Sequence, residues 1–359
     1  KLFFHTQRFR FSQDPEDASG EEFILAEMLD EEIQTLLSAT VKLAGREAVS
    51  GEKRLPVTAE KTQREHELCR VLFHILSDLT GIKPPWGLMT GIRPVKKVTE
   101  LMDRGLSRQQ IEADLTERFE LAPDKLRLAC ETAINQQPIL RKIDSGAVSL
   151  YVSIHFCPTR CSYCSFVSHS MDSAIKLMPE YVDALCRELR IIGGLIKKYG
   201  TRIDTVYFGG GTPTSLEAGD IRTIMECVAE NFDLDKIREY SFEAGRPDTI
   251  TEEKLRVIKE LGATRISVNT QTLNDDVLKV IGRRHSGADF ISAFETARKL
   301  GFDNINTDLI AGLPTESFES FLDSLDRVVD LSPESITVHT LTIKRSASLF
   351  AQGNANSHN

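Results

Sequence analysis

One stretch of the chain joins a predicted strand to a dense group of cysteines: Val148-Ser-Leu-Tyr-Val-Ser-Ile-His-Phe-Cys-Pro-Thr-Arg-Cys-Ser-Tyr-Cys-Ser165. Residues 148–155 are rich in β-branched and aromatic side chains, which predicts a strand. Cys157, Cys161 and Cys164 follow within eight residues, so they lie in the loop at the carboxyl end of that strand. Three soft thiolates on one loop can hold a metal centre.

The cysteine spacing favours an iron–sulfur cluster over zinc. A structural zinc site needs four ligands, usually from two Cys pairs, and the sequence has no second Cys-x2-Cys pair, although His155 or His169 could complete a set. A four-iron cluster held by three cysteines would leave one iron free to bind a ligand. The remaining cysteines are scattered through helix-like segments and are predicted to be small buried hydrophobic residues: Cys69, Cys130, Cys186 and Cys227.

Downstream of this loop the sequence alternates between short β-rich runs and amphipathic segments. The predicted strands are 148–155, 204–208, 239–243, 265–269, 304–310 and 335–343. The predicted helices are 174–198, 221–229, 252–261, 275–281, 289–300 and 318–329. This alternation indicates parallel strands covered by helices, in either an open doubly wound sheet or a partial barrel of the TIM type. Both architectures build the ligand site at the carboxyl ends of the strands.

The sequence predicts two domains and the start of a third region. Residues 1–146 are predicted to form a smaller, mainly helical α+β auxiliary domain. Residues 25–141 of this domain are expected to be mostly helical, with helical periodicity at 65–79, 95–106 and 108–139. Its Gly- and Pro-rich loop at 81–94 contains the single Trp, which favours local packing over function. Residues 147–345 form the six-strand domain, and 346–359 are expected to begin a carboxy-terminal region that is missing here.

Composition restricts the class of function. The chain has 359 residues, 44 Lys and Arg against 53 Asp and Glu, and a net charge of −9, which argues against coating nucleic acid or an anionic membrane. No apolar run reaches the ~20 residues of a membrane span, and the first residues lack a secretory signal. We therefore expect a cytoplasmic protein with no nucleic-acid partner and no membrane span.

Several polar or glycine residues follow the predicted strands. Gly209-Gly-Gly-Thr-Pro213 lets backbone approach a ligand and offer N–H donors to an anion, and no Gly-Lys-Ser/Thr follows to indicate a phosphate loop. Glu243, at the end of the third strand, could accept a hydrogen bond from a cation. Gln271 and Asp308 suit ribose hydroxyls, and Arg283 suits bidentate pairing with a carboxylate. Taken singly, each of these polar residues could instead be a turn or surface residue.

Together with Tyr163 before the last cysteine, these segments resemble the radical S-adenosylmethionine superfamily, which is built on a partial (β/α)6 TIM-type barrel. Further similar segments are Phe242-Glu-Ala244, Val268-Asn-Thr-Gln271, Ile281-Gly-Arg-Arg-His285 and Asn306-Thr-Asp-Leu-Ile-Ala-Gly-Leu-Pro314. Jointly they are similar to the oxygen-independent coproporphyrinogen III oxidase family. The first part, with Pro85-Trp-Gly-Leu-Met-Thr-Gly-Ile-Arg-Pro94, resembles its coproporphyrinogen dehydrogenase branch.

The resemblance implies a cofactor set and a reaction. Cys157, Cys161 and Cys164 would hold a [4Fe-4S] cluster, and S-adenosylmethionine would contact a set of residues that match the family's motifs: Tyr151, Tyr163, Gly210, Gly211, Thr212, Glu243, Gln271, Arg283 and Asp308. An electron donor such as flavodoxin or ferredoxin would drive reductive cleavage of S-adenosylmethionine to a 5′-deoxyadenosyl radical. That radical would start the decarboxylation of coproporphyrinogen III, a porphyrinogen-type substrate, to protoporphyrinogen IX in heme biosynthesis.

Three positions depart from the family pattern. Phe166 replaces a further cysteine, and Ser153 and His155 stand where the family usually has His and Pro. A close branch with the same motifs and with Phe or a similar residue after the last cysteine is associated with heme binding and delivery, so a heme carrier is the alternative function. His155, His169 and His285 are potential heme ligands, and the sequence assigns none of them.

Overall fold

The structure is a computed structural model that describes residues 22–89, 93–166, 168–344 and 346–351, together with Phe3 and Ser12. The chain divides into two compact units, residues 1–142 and 143–359. Within the described ranges, none of the helices combines the length and apolar character needed to cross a membrane.

The first unit begins with an antiparallel three-stranded sheet, in which β2 lies between β1 and β3. Its strands are β1 Phe23–Asp30, β2 Gln34–Lys42 and β3 Val49–Pro56. The prediction of mostly helical structure from about residue 25 is therefore wrong for this segment. Every second residue of β2 is buried, and Ala39 and Val41 pack with Ile75 and Leu76 of the following helix. Burial of one strand face against that helix stabilises a sheet that has few strands of its own.

Four helices complete the first unit: α1 Lys61–Thr80, α2 Pro94–Asp103, α3 Arg108–Phe119 and α4 Pro123–Leu140. Helix α3 starts at a capping box formed by Ser107 and Gln110. Cys69 of α1 is exposed, so the prediction that it is buried is wrong, whereas Cys130 of α4 is buried as predicted. Trp86 packs against the apolar cluster of α2, α3 and α4, as the Gly/Pro loop predicted. Thr90, Gly91 and Ile92 of that loop lie outside the described residues.

The second unit contains six parallel strands in the order β11-β10-β9-β8-β7-β4. They are β4 Ala147–Ile154, β7 Arg202–Gly210, β8 Glu239–Ala244, β9 Arg265–Val268, β10 Ile305–Ala311 and β11 Ser335–Thr340. Two short strands, β5 Phe156–Cys157 and β6 His169–Ser170, form a separate parallel pair. The last strand ends at Thr340, three residues before its predicted end.

Helices connect consecutive strands of this sheet, and a last short helix follows β11. They are α5 Met171–Ala174, α6 Met178–Tyr199, α7 Ala218–Asn231, α8 Glu252–Glu260, α9 Asp275–Val280, α10 Gly287–Lys299, α11 Phe318–Asp330 and α12 Ser348–Ala351. The spatial order of the strands follows the chain order without a reversal. A doubly wound sheet requires such a reversal, so the structure selects the partial (β/α)6 barrel and confirms the predicted fold class.

Successive side chains of a strand point to opposite faces, and the two faces of this sheet differ in chemistry. One face is apolar and packs with the buried sides of the helices, as shown by Val152, Phe208, Phe242, Ile266 and Leu309 in the main core cluster. The alternate positions carry polar or tyrosine side chains: Tyr151, Ser153, Thr205, Tyr207, Ser241, Glu243, Arg265, Ser267, Asn306, Asp308, Thr337 and His339. A sheet face this polar indicates a ligand site rather than a filled barrel core.

Candidate functional site

The three clustered cysteines lie where the first strand of the six-stranded sheet ends. Cys157 is the last residue of β5, and the pairing of β5 with β6 closes the loop that carries the other two. Cys161 is buried, while Cys157 and Cys164 are half-buried, and all three are free thiols. The loop packs on the turn after α9, where Ser162 N donates to Ile281 O over 3.0 Å.

Each of the three sulfurs has a hydrogen-bond donor beside it. Thr212 Oγ1 lies 3.5 Å from Cys157 Sγ, and a terminal guanidinium nitrogen of Arg246 lies 3.6 Å from Cys161 Sγ. Burial raises the pKa of the Cys164 thiol, the Phe166 N–H opposes that shift, and Cys161 and Cys157 raise the pKa further. Donors and positive charge around thiolates are the surroundings that iron–sulfur ligands require.

The chemistry of this donor set fits a cluster. Neighbouring thiols that ionise repel one another, and a group that carries positive charge stabilises them as thiolates. No group of three His, Cys, Asp or Glu side chains in the described part of the chain is arranged to hold a metal ion. Thiolate ligands of a single metal ion would all lie ~2.3 Å from that ion, whereas thiolates bound to different irons of a cluster lie farther apart. His155 and His169 are both exposed, and among the described residues neither lies in a group that could hold a single zinc ion with the cysteines.

The glycine segment after β7 packs directly against the cysteine loop. A Cβ on Gly211 would lie 2.6 Å from Phe156 O and 3.0 Å from Cys157 Sγ, and Gly210 has a φ of +107°. Gly211 N donates to Ile154 O over 2.6 Å and Thr212 N to Phe156 O over 2.7 Å. These two N–H groups are therefore not available to an anion, contrary to the expectation from the sequence. The contact of Gly210, Gly211 and Thr212 with S-adenosylmethionine stays a prediction.

Glu243 lies half-buried on the polar face and accepts a hydrogen bond from the Tyr207 hydroxyl. The Tyr207 ring stacks on Tyr151, with centroids 5.5 Å apart. Burial raises the pKa of Glu243, the Tyr207 hydroxyl opposes that shift, and the nearby Asp308 carboxylate adds to it. A Cβ on Gly209 would lie 2.8 Å from Tyr151 Oη and 3.1 Å from Glu243 Oε2, so this glycine lets both groups approach the same place.

Gln271 occupies a strained backbone position beside this face. Its φ is +73°, in the left-handed region that non-glycine residues rarely adopt, and it is 6% exposed. Gln271 N donates to Asp308 O over 3.0 Å, and Gln271 O accepts from Ile310 N over 2.9 Å. The Asp308 carboxylate accepts from Asn306 Nδ2 over 2.8 Å, and His339 Nε2 lies 3.7 Å away. The two residues predicted to contact ribose therefore lie next to each other, Gln271 after β9 and Asp308 within β10.

Arg283 differs from its predicted arrangement. One terminal nitrogen donates to Asn269 O over 2.8 Å and to Gly245 O over 3.2 Å, and the other lies 3.4 Å from the Tyr163 hydroxyl. Because these backbone carbonyls use the guanidinium, the structure does not show it presented for bidentate pairing with a carboxylate. Its buried Nε has no partner among the described residues. Tyr163 is held against Arg283 and beside Cys161, and burial raises its pKa.

Sequence reasoning missed Arg246 and the residues that hold it. Arg246 follows β8 by two residues, is 3% exposed and reaches across to the cysteine loop. Asp248 accepts two hydrogen bonds from its guanidinium, over 3.0 and 2.9 Å. His285 is buried with its Nδ1 3.8 Å from Asp248, and burial lowers the pKa of this imidazole. The sequence signal for these residues was the run Arg246-Pro-Asp248 directly after the third predicted strand, because charged residues at the carboxyl end of a strand lie where the ligand site forms.

A cavity of about 580 Å³ lies beside the cysteine loop. Its walls include Thr159, Arg160, Lys279, Arg284 and Asp289, so it carries charges of both signs. The polar strand face does not line it. This cavity is therefore separate from the surface on which Glu243, Gln271 and Asp308 lie.

Comparison with known proteins agrees with the arrangement of strands and cysteines. Residues 151–328 match the model of the Radical SAM superfamily. This match covers the polar-faced strands β7 to β10, the cysteine loop and most of the helices between them. The chain belongs to the radical SAM superfamily.

The individual relatives are more specific. The chain is 38% identical over 291 residues to the oxygen-independent coproporphyrinogen-III oxidase-like protein HemZ of Bacillus subtilis (strain 168), over 80% of this chain and 58% of that protein. It is 34% identical over 197 residues to the heme chaperone HemW of the same organism, over 55% of this chain and 51% of that protein.

A solved structure gives the same result for the fold. Coproporphyrinogen III oxidase (HemN) from Escherichia coli, described as a radical SAM enzyme, is 30% identical with a TM-score of 0.53, over 63% of this chain and 50% of that one. The chain thus spans about half to three fifths of the length of these relatives. The resemblance predicted from the motifs is confirmed.

Proposed function

We propose that Cys157, Cys161 and Cys164 bind a [4Fe-4S] cluster at which S-adenosylmethionine is reductively cleaved. The observation that supports this most strongly is the cysteine loop itself. It lies at the carboxyl end of β4, beside the polar sheet face, and each sulfur has its own hydrogen-bond donor. When bound, the cluster and S-adenosylmethionine supply one-electron cleavage of the cofactor to methionine and a 5′-deoxyadenosyl radical.

The chain's own residues bind and orient the cofactor. Glu243 would accept a hydrogen bond from the cofactor's ammonium group, and the Tyr207 hydroxyl donates to that carboxylate and holds it in place. Gln271, after β9, and Asp308, within β10, would bind the ribose hydroxyls. Tyr151, whose hydroxyl lies beside Gly209, would contact the methionine part. These polar groups converge on one face, which suits a ligand with charged and hydroxyl-bearing parts.

We propose coproporphyrinogen III as the substrate and protoporphyrinogen IX as the product. Each of two propionate side chains would lose a hydrogen atom from its β-carbon to the deoxyadenosyl radical. It would then release carbon dioxide and pass one electron to a one-electron acceptor, which leaves a vinyl group. Similarity to HemZ supports this substrate, because it extends over 80% of the chain, more than the second unit contains. The reducing electron would come from a carrier such as flavodoxin or ferredoxin.

A heme chaperone is the second proposal, and the similarity to HemW supports it. Phe166 also occupies the position of the additional cysteine and is 63% exposed, so this position supplies an apolar surface next to the cysteine loop rather than a thiol. In that function the protein would bind heme and deliver it, and the cluster would have a regulatory role.

Anaerobic incubation with coproporphyrinogen III, S-adenosylmethionine, a reductant and an electron acceptor separates the two proposals. The enzyme proposal predicts 5′-deoxyadenosine and protoporphyrinogen together, both dependent on Cys161. Stable heme binding with no protoporphyrinogen would instead favour the chaperone. The Cys161→Ala variant is the matched control, because it keeps the fold and removes one cluster ligand.

A further inference from the structure

Arg246 is a fully paired arginine buried beside the cysteine loop. Its five N–H donors have five acceptors: both carboxylate oxygens of Asp248, the carbonyl and hydroxyl oxygens of Thr159, and the sulfur of Cys161. The distances to oxygen run from 2.9 to 3.2 Å, and the distance to sulfur is 3.6 Å. A guanidinium presents its donors in one rigid plane, so the position of each acceptor fixes the others.

Asp248 neutralises the buried charge of Arg246 and orients its guanidinium. A buried arginine without a counter-charge would be strongly destabilising. The two oxygens of Asp248 take the Nε and one terminal nitrogen in a bidentate pair, which leaves the remaining donors pointing at the cysteine loop. Burial opposes ionisation of Asp248, but His285 and Arg246 hold its pKa well below the usual range, so the pair is ionised.

Thr159 connects the guanidinium to the backbone between the first two cysteines. Its carbonyl and its hydroxyl both accept from Arg246, and the hydroxyl in turn donates to Gly282 O over 2.9 Å. The segment between Cys157 and Cys161 is therefore held from two sides, by β8's carboxyl end and by the turn after α9.

We propose that Arg246 is a positioning residue for the cluster: it fixes the loop between Cys157 and Cys161 and donates a charge-assisted hydrogen bond to the Cys161 thiolate. This inference rests on the proposed binding of a cluster by the three cysteines. Reduction adds negative charge to a cluster, and a positively charged donor at a ligand sulfur stabilises the reduced state. Arg246 therefore makes the cluster easier to reduce.

The test is a reduction potential rather than activity alone. The wild-type chain, Arg246→Met and Arg246→Lys would be reconstituted anaerobically, and the midpoint potential would be measured by titration monitored by electron paramagnetic resonance, with iron and sulfide counted per chain. Arg238→Met is the matched control, since Arg238 is paired with Asp204 just before β8, away from the cysteines.

Arg246→Met is expected to move the midpoint potential to more negative values and to lower the iron content. Arg246→Lys is expected to shift it in the same direction by less, because one ammonium keeps the charge but cannot reach Asp248, Thr159 and Cys161 together. Arg238→Met should leave the midpoint unchanged. If Arg246→Met does not fold, the shift in Arg246→Lys decides.

Two results would overturn the inference. The first is a wild-type midpoint potential in the Arg246 variants that retain a cluster, which would show a purely structural role even if the iron content fell. The second is an equal shift in Arg238→Met. Failure of the wild-type chain to assemble any cluster would instead refute the proposed function, so the two failures are distinguishable.

Discussion

Two Arg–Asp pairs lie at opposite ends of β8 and show how differently the same chemistry is used. At the amino end, Arg238 binds both carboxylate oxygens of Asp204, and its side chain is 30% exposed. At the carboxyl end, Arg246 shares its donors among Asp248, the cysteine loop and a sulfur, and its side chain is 3% exposed. The first pair connects the start of β8 to β7. The second adds contacts to residues that are more than 80 positions away in the chain.

The difference follows from the architecture. In a parallel βα sheet the carboxyl ends of the strands and the loops after them form the ligand site, whereas the amino ends serve stability. The polar side chains that follow β7, β8 and β9, and the cysteines after β4, all obey this division. We therefore expect changes at the carboxyl end to alter the cluster and changes at the amino end to alter stability.

The largest effect is expected from Cys161→Ala. Removing one of three thiolates from the cluster should reduce the iron content and the broad visible absorbance to background, measured after anaerobic reconstitution. Cys227→Ala is the control, because this buried thiol packs between α7 and α6, where Cys227 Sγ contacts Cys186 O. It should lower the unfolding temperature slightly and keep the full iron content. An unchanged iron content in Cys161→Ala would refute the assignment.

Gly211→Ala is expected to weaken the cluster without abolishing the fold. The added methyl group would lie 2.6 Å from Phe156 O and 3.0 Å from Cys157 Sγ, so the cysteine loop must shift. Iron per chain should fall below that of the wild type. The matched variant Gly219→Ala meets no atom within 4 Å in α7 and should keep full iron while raising stability by up to about 1 kcal/mol. Equal iron in both variants would contradict the contact.

Arg238→Met is expected to lower the unfolding temperature and the denaturation midpoint. Asp204 is buried, and the Arg238 hydrogen bonds, opposed by burial, lower the pKa of its carboxyl. Its stabilising effect is present above the ordinary carboxyl pKa and is lost as the pH falls through the lowered one, so the difference between variant and wild type should shrink in acid. Loss of the cluster in this variant would contradict the expectation that changes at the amino end of β8 alter only stability.

Tyr207→Phe tests the smallest effect, at the polar face. Burial raises the pKa of Glu243 and the hydrogen bond from the Tyr207 hydroxyl opposes that shift, so removal of the hydroxyl should raise this pKa further. Binding of the cofactor's ammonium requires ionised Glu243 and is lost as the pH falls through this pKa. The loss should therefore begin at a higher pH in the variant, as measured by S-adenosylmethionine affinity across pH. Identical pH profiles of the variant and the wild type would show that the Tyr207 hydroxyl does not influence cofactor binding through Glu243.

Features that are local in sequence were predictable. The cysteine spacing, the glycines after the second predicted strand and the alternation of strands and helices each need only a short stretch of sequence. The bounds of the six strands in the parallel sheet differ from their predicted bounds by at most three residues. The choice between a barrel and a doubly wound sheet was not local, because it depends on which strands are neighbours.

Long-range contacts explain what was missed at the site. Arg246 and Thr159 are 87 residues apart, and Thr159 and Gly282 are 123 apart, so no motif could connect them. Arg283 was predicted to meet a carboxylate from its residue type alone. Its use by the carbonyls of Gly245 and Asn269 depends on how β8 and β9 end next to each other.

The secondary-structure prediction for the first unit was wrong for a different reason. The helical prediction was wrong for residues 23–56, although Leu37, Ala39 and Val41 alternate with Ser38 and Thr40, which is a period-two strand signal. Strand β3, Val49–Pro56, carries charged residues on a sheet edge and gives little apolar signal.

The central claim is that the cysteine loop holds a cluster with one iron open to S-adenosylmethionine. Electron paramagnetic resonance of the reduced, reconstituted chain tests it directly, with and without S-adenosylmethionine. The account predicts a [4Fe-4S] signal that changes on addition of S-adenosylmethionine and is absent from Cys161→Ala. A signal that S-adenosylmethionine leaves unchanged, or one that persists in Cys161→Ala, would contradict it.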